Sequence, residues 1–430
     1  MTTDDGKNHL QMAEQAMAQV CGERLRESIA ALAGFGGRED GGVSRETLTD
    51  IDLEARRHLV DRARAMGLTV AIDDAANLFF RRAGQTDLPP VLTGSHVDTQ
   101  PVGGKLDGAY GVLAGLEVLQ ALQDGGVQTQ RPVEVVVWTN EEGSRFGPGC
   151  MGSSAFVEPG RLAGYRLVRD GDQVSFGEAV DRALQALPDV PRRPMQQPLT
   201  AFLELHIEQG PVLENAGVPL GVVTGIQSVR WFRVRVTGVA AHAGTTPMDI
   251  RTDAMAACIQ MAHRLYAEAA LRQSSGLRLT LGRWVVSPNS INTIPGEVEF
   301  TIDMRCVDEA VLASFDAVMR DILHACAGGT RVSLESIFER KPTHFPAAMT
   351  ALVNEACQRA CKVASRPAPL HLTSGAFHDA MYLADHCPTA MLFVPSKAGI
   401  SHNAAEETAH DELLLGAQAL AYAVTRMANA

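Results

Sequence analysis

The chain has 430 residues, 46 % hydrophobic and 20 % charged. At roughly 150 residues per domain this predicts two or three domains, with core enough to fold without disulfides or a structural metal. The formal net charge of −12 argues against nucleic acid, which needs a basic face, and reads as solubility; local arginines still allow an anionic small-molecule substrate.

From about residue 12 to 70 the sequence reads as helices with polar interruptions, after which strands and helices alternate. Val91 to Thr93 is a short strand running into the loop Gly94-Ser95-His96-Val97-Asp98. Asp107 to Leu122 carries apolar residues at helical spacing. Val133 to Thr139 is a valine-rich apolar run, the mark of a strand buried on both faces, and it ends directly at Asn140-Glu141-Glu142-Gly143. Phe202 to Ile207 is another short strand, ending at Glu208-Gln209-Gly210. Polar groups placed at the ends of apolar strands suit an open α/β sheet.

Beyond Gly210 the pattern changes. Phe232 to Thr237 and Val298 to Arg305 alternate apolar and polar residues, as strands exposed on one side do. Amphipathic helical stretches lie near 252–270 and 308–327. They predict a compact insertion over 213–330, two helices on one face of a small antiparallel sheet, within a larger domain formed by 1–212 and 331–430. Ala390 to Val394 is a last apolar strand, and Glu407 to Ala430 a C-terminal helix with Thr408 as its N-cap.

The eight cysteines are scattered and form no CxxC pair, and MTTDDGKNHLQMAEQAM lacks the basic start and apolar stretch of a signal peptide. No apolar run approaches the roughly 18 residues of a membrane span. A reduced, cytoplasmic protein is therefore expected.

Several strand-end groups can carry chemistry. In His96-Val97-Asp98 a histidine can ligate a metal while Asp98 orients its ring from behind; alone, such a unit is more often structural. Asp107 follows two glycines and starts a helix, so it is either an N-cap or a carboxylate that bridges cations. Glu141 and Glu142 are either a solvated acidic turn or a pair in which one binds metal and the other takes a proton from water. His206 and His402, each after or within an apolar strand, complete the set. Three histidines with carboxylates suit zinc, manganese, cobalt or nickel. There is no HExxH, GxSxG or P-loop motif.

GSHVDTQPVGGKLDG, TNEEGSRF, LELHIEQGPVLE, VTGVAAHAGTTPM, NTIPGEVEFTIDMR, SGAFHDA and GISHN, spread from residue 94 to 403, resemble the M20 metallopeptidase-like family in the family's own order. Gly108 after Asp107, and His206 where peptidase members carry a carboxylate, resemble the hydantoinase/carbamoylase branch, which hydrolyses N-carbamoyl-L-amino acids, N-carbamoyl-β-alanine or allantoate. The resemblance implies an α/β catalytic domain, with an open, mostly parallel sheet and metals at its strand ends. It also implies an inserted α+β lid and dimerisation domain with a four-stranded antiparallel sheet. Two divalent ions per chain are implied, one held by His96, Asp107 and His206 and the other by Asp107, Glu142 and His402. Glu141 would be the general base and His242 an oxyanion donor. Gln209, Asn292, Arg305, Ser374 and Gly375 would contact a small anionic ureido substrate, with Arg305 on its carboxylate. The expected assembly is a homodimer, with no nucleic acid or membrane partner. One departure is Phe377, which stands where the family's SGAGHDA has glycine. An aminoacylase or dipeptidase of the same family, or a non-catalytic binder of small anions, is the rival reading.

Overall fold

The computed structural model describes residues 3–430. The chain forms two compact units, one ending at Thr224 and resuming at Phe345, the other running from Gly225 to His344.

The larger unit is built on a mixed sheet. Its spatial order is Thr69–Ile72, Leu78–Arg82, Val133–Trp138, Val91–His96, Ala201–Ile207, Thr389–Val394 and Gly221–Ile226, with Leu370–Ser374 also pairing with the last of these. The four central strands, Val133–Trp138 through Thr389–Val394, run parallel; the flanking pairs are antiparallel. All four central strands are buried along their whole length, which explains their near-continuous apolar sequences. The exception inside Val133–Trp138 is Glu134, whose carboxylate is paired with Arg81 at 2.8 Å and Arg193 at 2.9 Å. Helix Ala109–Asp124 is buried on nearly every face because it lies between the sheet and helix His410–Ala428. Its one buried charge, Glu117, is met by Arg24 at 2.6 Å and by the Cys21 amide at 2.7 Å. A buried charge is tolerated only when it is paired in this way.

The C-terminal helix starts later than the sequence suggests, at His410, and Ala409 occupies the N-cap. Thr408 does not cap it. Its hydroxyl donates instead to the Pro395 carbonyl at 2.7 Å, closing the loop that carries His402.

The smaller unit is an antiparallel sheet in the order Arg331–Arg340, Ser228–Thr237, Glu297–Cys306, Arg278–Ser287. Along Glu297–Cys306 every second residue is buried. Val298, Phe300, Ile302 and Met304 pack under helices Ala254–Ala270 and Glu309–Ala325. Asp253 and Asp308 cap these helices through their first backbone amides. The opposite face carries ion pairs such as Arg235 to Glu299 at 3.1 Å. The patterning placed the unit boundaries at 212/213 and 330/331. The compact unit lies further along the chain because Gly221–Ile226 pairs with Thr389–Val394 in the large sheet, while Arg331–Arg340 is an edge strand of the small one.

Among the described residues no helix is long and apolar enough to cross a membrane. All eight cysteines are free thiols.

Candidate metal centre

The central parallel strands all end on one side, and their C-terminal ends carry the polar groups singled out in the sequence. His96 is the last residue of Val91–His96; Glu141 and Glu142 follow Val133–Trp138; His206 is next to last in Ala201–Ile207; His402 lies in the loop after Thr389–Val394. Asp107 sits just ahead of helix Ala109–Asp124. The N-cap there is Gly108, with no side-chain cap, so the Asp107 carboxylate is free to face the histidines.

Its two oxygens face different partners. Oδ1 lies 3.3 Å from His206 Nε2 and 3.9 Å from His96 Nε2, while Oδ2 lies 3.1 Å from His402 Nε2. Glu142 stands 3.5 Å from the same His402 nitrogen. Two donor triads result, His96, Asp107, His206 and Asp107, Glu142, His402, which share Asp107.

The donor set fits divalent ions on three counts. Metal–ligand bonds of about 2.0–2.1 Å in a tetrahedron place ligand atoms about 3.3 Å apart, the spacing seen around Asp107. Nδ1 of His96 lies 2.9 Å from the Asp98 carbonyl and Nδ1 of His206 lies 2.9 Å from the Ile207 carbonyl. Both Nδ1 atoms therefore carry the proton, which leaves each Nε2 unprotonated beside Asp107; that of His206 also accepts the Gly108 amide at 3.1 Å. Finally, the carboxylates crowd one another. Burial and then the charges of Asp379, Glu142 and Asp107 push Glu141 well above the usual carboxylate range; burial and Asp107 do the same to Glu142. Burial pushes His96 down to about 4, its neutral form. The hydrogen bond to Asp107 holds His402 up at about 9. A divalent cation replaces the charge of that proton and relieves the carboxylate repulsion together.

Asp98 acts differently from the expected carboxylate-to-imidazole contact. Its carbonyl orients His96, whereas its carboxylate is 3.7 Å from Nδ1 and accepts the backbone amides of Glu141 at 3.3 Å and Glu142 at 3.2 Å. One residue thus fixes two strand ends against each other. Glu141 lies 3.4 Å from His96 Nε2, and its other oxygen meets the Cys150 thiol at 3.6 Å. Gln209 donates to Asp107 Oδ2 at 2.9 Å. The Ser374 hydroxyl is engaged inside its own loop, with His378 Nε2 at 3.0 Å.

A third grouping, Glu204, His206 and His378, is structural. Both Glu204 oxygens are taken, by the Ser95 hydroxyl at 2.7 Å and the Ala380 amide at 2.9 Å. The His378 ring packs edge-on against His206 at 4.5 Å.

Backbone strain gathers here as well. Asn140, Gln209 and His402 have φ of 58°, 57° and 53°, a region L-residues seldom occupy except where surrounding contacts impose it at a functional site.

In the smaller unit, Ala241–His242 pairs with Thr293–Ile294 and so places His242 beside Asn292. His242 Nδ1 accepts from the amides of Gly244 at 3.0 Å and Thr245 at 3.2 Å. Its proton is therefore on Nε2, the outward nitrogen, as a donor. Arg305 is held by Asp303, with Nη2 to Oδ2 at 2.9 Å.

Three residues that contact groups of this centre were not singled out in the sequence. Gln100 donates to Glu142 Oε2 at 2.7 Å; Ser401 lies 3.1 Å from Asp107; and Glu406 accepts the Asp107 amide at 3.1 Å. None belongs to an apolar period, and each meets a partner remote in sequence. Only proximity to a proposed ligand, in TQP and in SHNAAE, offered a signal.

Residues 92–426 match peptidase family M20/M25/M40. The chain belongs to this family. It is 39 % identical over 415 residues to an N-carbamoyl-L-amino acid amidohydrolase of Geobacillus stearothermophilus, covering 95 % of this chain and 99 % of the relative. It is 36 % identical over 410 residues to the allantoate amidohydrolase of Escherichia coli (strain K12), covering 94 % and 98 %. A hydantoinase/carbamoylase family amidase from Burkholderia vietnamiensis has the same fold, with a TM-score of 0.86 at 42 % identity over 96 % of this chain and 98 % of that one. M20 proteins generally use divalent metal ions, in keeping with the donor set described above.

Proposed function

We propose that this M20 protein hydrolyses the ureido C–N bond of N-carbamoyl-L-amino acids or closely related ureido acids, releasing ammonia and carbon dioxide. The observation that carries the reading is the pair of donor triads sharing Asp107, with Glu141 standing beside them at 3.4 Å from His96.

His96, Asp107 and His206 would hold one divalent ion, and Asp107, Glu142 and His402 a second, drawn from zinc, manganese, cobalt or nickel. When bound, such ions supply Lewis acidity to a carbonyl that two nitrogens make a poor electrophile. Glu141 takes a proton from the attacking water, whose oxygen bonds to the ureido carbon. The same carboxyl returns the proton to the leaving nitrogen as the C–N bond breaks. The carbamic acid released falls apart to ammonia and carbon dioxide. His242, with its proton on Nε2, donates to the developing oxyanion, a role worth about 100–1000-fold in rate at comparable sites. Arg305, its guanidinium oriented by Asp303, pairs with the substrate carboxylate. Gln209, Asn292, Ser374 and Gly375 complete the substrate contacts. The working form is a homodimer, on the family resemblance, in a reducing cytoplasm that suits the free thiols.

The test is ammonia release from a panel of N-carbamoyl-L-amino acids, N-carbamoyl-β-alanine, allantoate and N-acetyl amino acids, each with Mn²⁺, Co²⁺, Ni²⁺ and Zn²⁺. Turnover of ureido compounds is expected. Hydrolysis confined to N-acetyl amino acids would make the protein an aminoacylase, and metal-loaded protein inert to the whole panel would make it a binder.

A further inference from the structure

Glu406 takes no part in the chemistry described above, yet it is 3 % exposed and lies directly behind the centre. Its Oε1 accepts the amides of Leu106 at 2.8 Å and Asp107 at 3.1 Å, across 300 and 299 residues of sequence. Its Oε2 lies 3.0 Å from the Ser401 hydroxyl, which is itself 3.1 Å from Asp107 Oδ2. The carboxylate reaches this position over Gly104, where a Cβ would stand 2.1 Å from Oε1. A single side chain therefore grips the backbone at Asp107 and the residue before His402, whose φ of 53° needs such support.

We propose that Glu406 is a positioning residue for the metal held by Asp107, Glu142 and His402. The inference rests on the two-metal reading of those residues. Ser401 has one hydroxyl proton and two carboxylates within reach. Gln209 Nε2 already donates to Ser401 Oγ at 3.2 Å and to Asp107 Oδ2 at 2.9 Å. When Glu406 takes the Ser401 proton, a lone pair of Asp107 Oδ2 stays available to a cation. Glu406→Gln separates the two duties. Its amide oxygen can keep both backbone bonds, but its NH₂ would face Ser401 as a donor and turn the hydroxyl proton onto Asp107. Glu406→Ala loses both duties.

The experiment is Mn²⁺ titration of metal-stripped full-length protein, following free Mn²⁺ by its paramagnetic resonance, together with thermal unfolding of the metal-free form. Wild type should bind two Mn²⁺. Removing partners of this kind costs metal sites about 10–100-fold in affinity, so Glu406→Ala should weaken the ion of Asp107, Glu142 and His402 by that factor and the other, which shares only Asp107 with it, by less. Glu406→Gln, folded like the wild type, should weaken the same ion by a smaller factor. Wild-type affinity for both ions in Glu406→Gln and Glu406→Ala overturns the proposal. So does equal weakening of both ions accompanied by a lower unfolding temperature of the metal-free protein, which would make Glu406 a support of the fold. Fewer than two Mn²⁺ in the wild type would overturn the two-metal reading itself, a result distinct from either.

Discussion

At Gly108 the backbone has φ +63°, and a Cβ there would lie 2.3 Å from His96 Nε2. The missing side chain is therefore a condition for the His96 ring to face Asp107. Gly108→Ala should destabilise the protein by about 1–3 kcal/mol through backbone strain, and should also displace a proposed ligand. The expected outcome is loss of one bound metal per chain by elemental analysis; unchanged metal content would mean that the ring moves aside without consequence. The adjacent carboxylates make a sharper comparison. Glu141→Gln should lower kcat by roughly 100–10,000-fold, the usual cost of losing a general base, with metal content intact. Glu142→Gln should lower metal content instead. Near-normal kcat in Glu141→Gln would place the base elsewhere. Residue identities at the strand ends were legible in the sequence because a buried apolar strand that stops at a histidine or carboxylate is conspicuous. The supporting contacts were not. Asp98 looked like a carboxylate for His96, but the carbonyl does that work and the carboxylate holds the Glu141 and Glu142 amides. Glu406 and Ser401 depend on a contact spanning about 300 residues, which no local pattern encodes.

The four parallel strands hold the centre, and three were read from sequence as runs of buried residues between turn signals while the fourth, Val91–His96, was read only through Thr93. The antiparallel strands Thr69–Ile72, Leu78–Arg82 and Gly221–Ile226 carry no clear sequence signal; they are short, and their apolar residues follow neither a strict alternation nor a long buried run. This architecture bears on metal removal. Val91, Leu92, Val135, Val137, Leu203, Leu205 and Leu392 are fully buried, each contributing about 1.5–3 kcal/mol. A metal at a hundredfold excess over its Kd adds only about 2.7 kcal/mol per site. Chelation should therefore abolish activity and lower the unfolding temperature by several degrees while far-ultraviolet circular dichroism stays unchanged. Adding Mn²⁺, Co²⁺, Ni²⁺ or Zn²⁺ should restore turnover. Full activity in protein shown to be metal-free would sink the two-metal mechanism.

At the scale of the whole molecule, the proposed roles are divided between a unit that carries every proposed metal ligand and one that carries His242, Asn292 and Arg305. The division predicts separable kinetic effects. Arg305→Lys keeps the charge but gives up the planar two-point grip on a carboxylate, so KM should rise strongly with metal content unchanged; substrates lacking the carboxylate should be poor for the wild type and nearly indifferent to the change. His242→Ala should lower kcat, because a donor aimed at developing charge contributes most in the transition state. If the proposed homodimer forms, which chain His242 serves is a separate question, and a hybrid of two chains answers it. One chain carries both His242→Ala and Glu141→Gln, the other is wild type, and two affinity tags isolate the mixed species. If His242 serves the metals of its own chain, the wild-type chain keeps a complete site and the hybrid retains about half the activity. If it serves the partner's metals, the wild-type base works with a missing donor and the intact donor works with a missing base, so both sites fail. Activity far below half would place His242 across the interface. A hybrid at half activity would rule out the exchange of His242 between subunits and leave the metal chemistry of the larger unit standing.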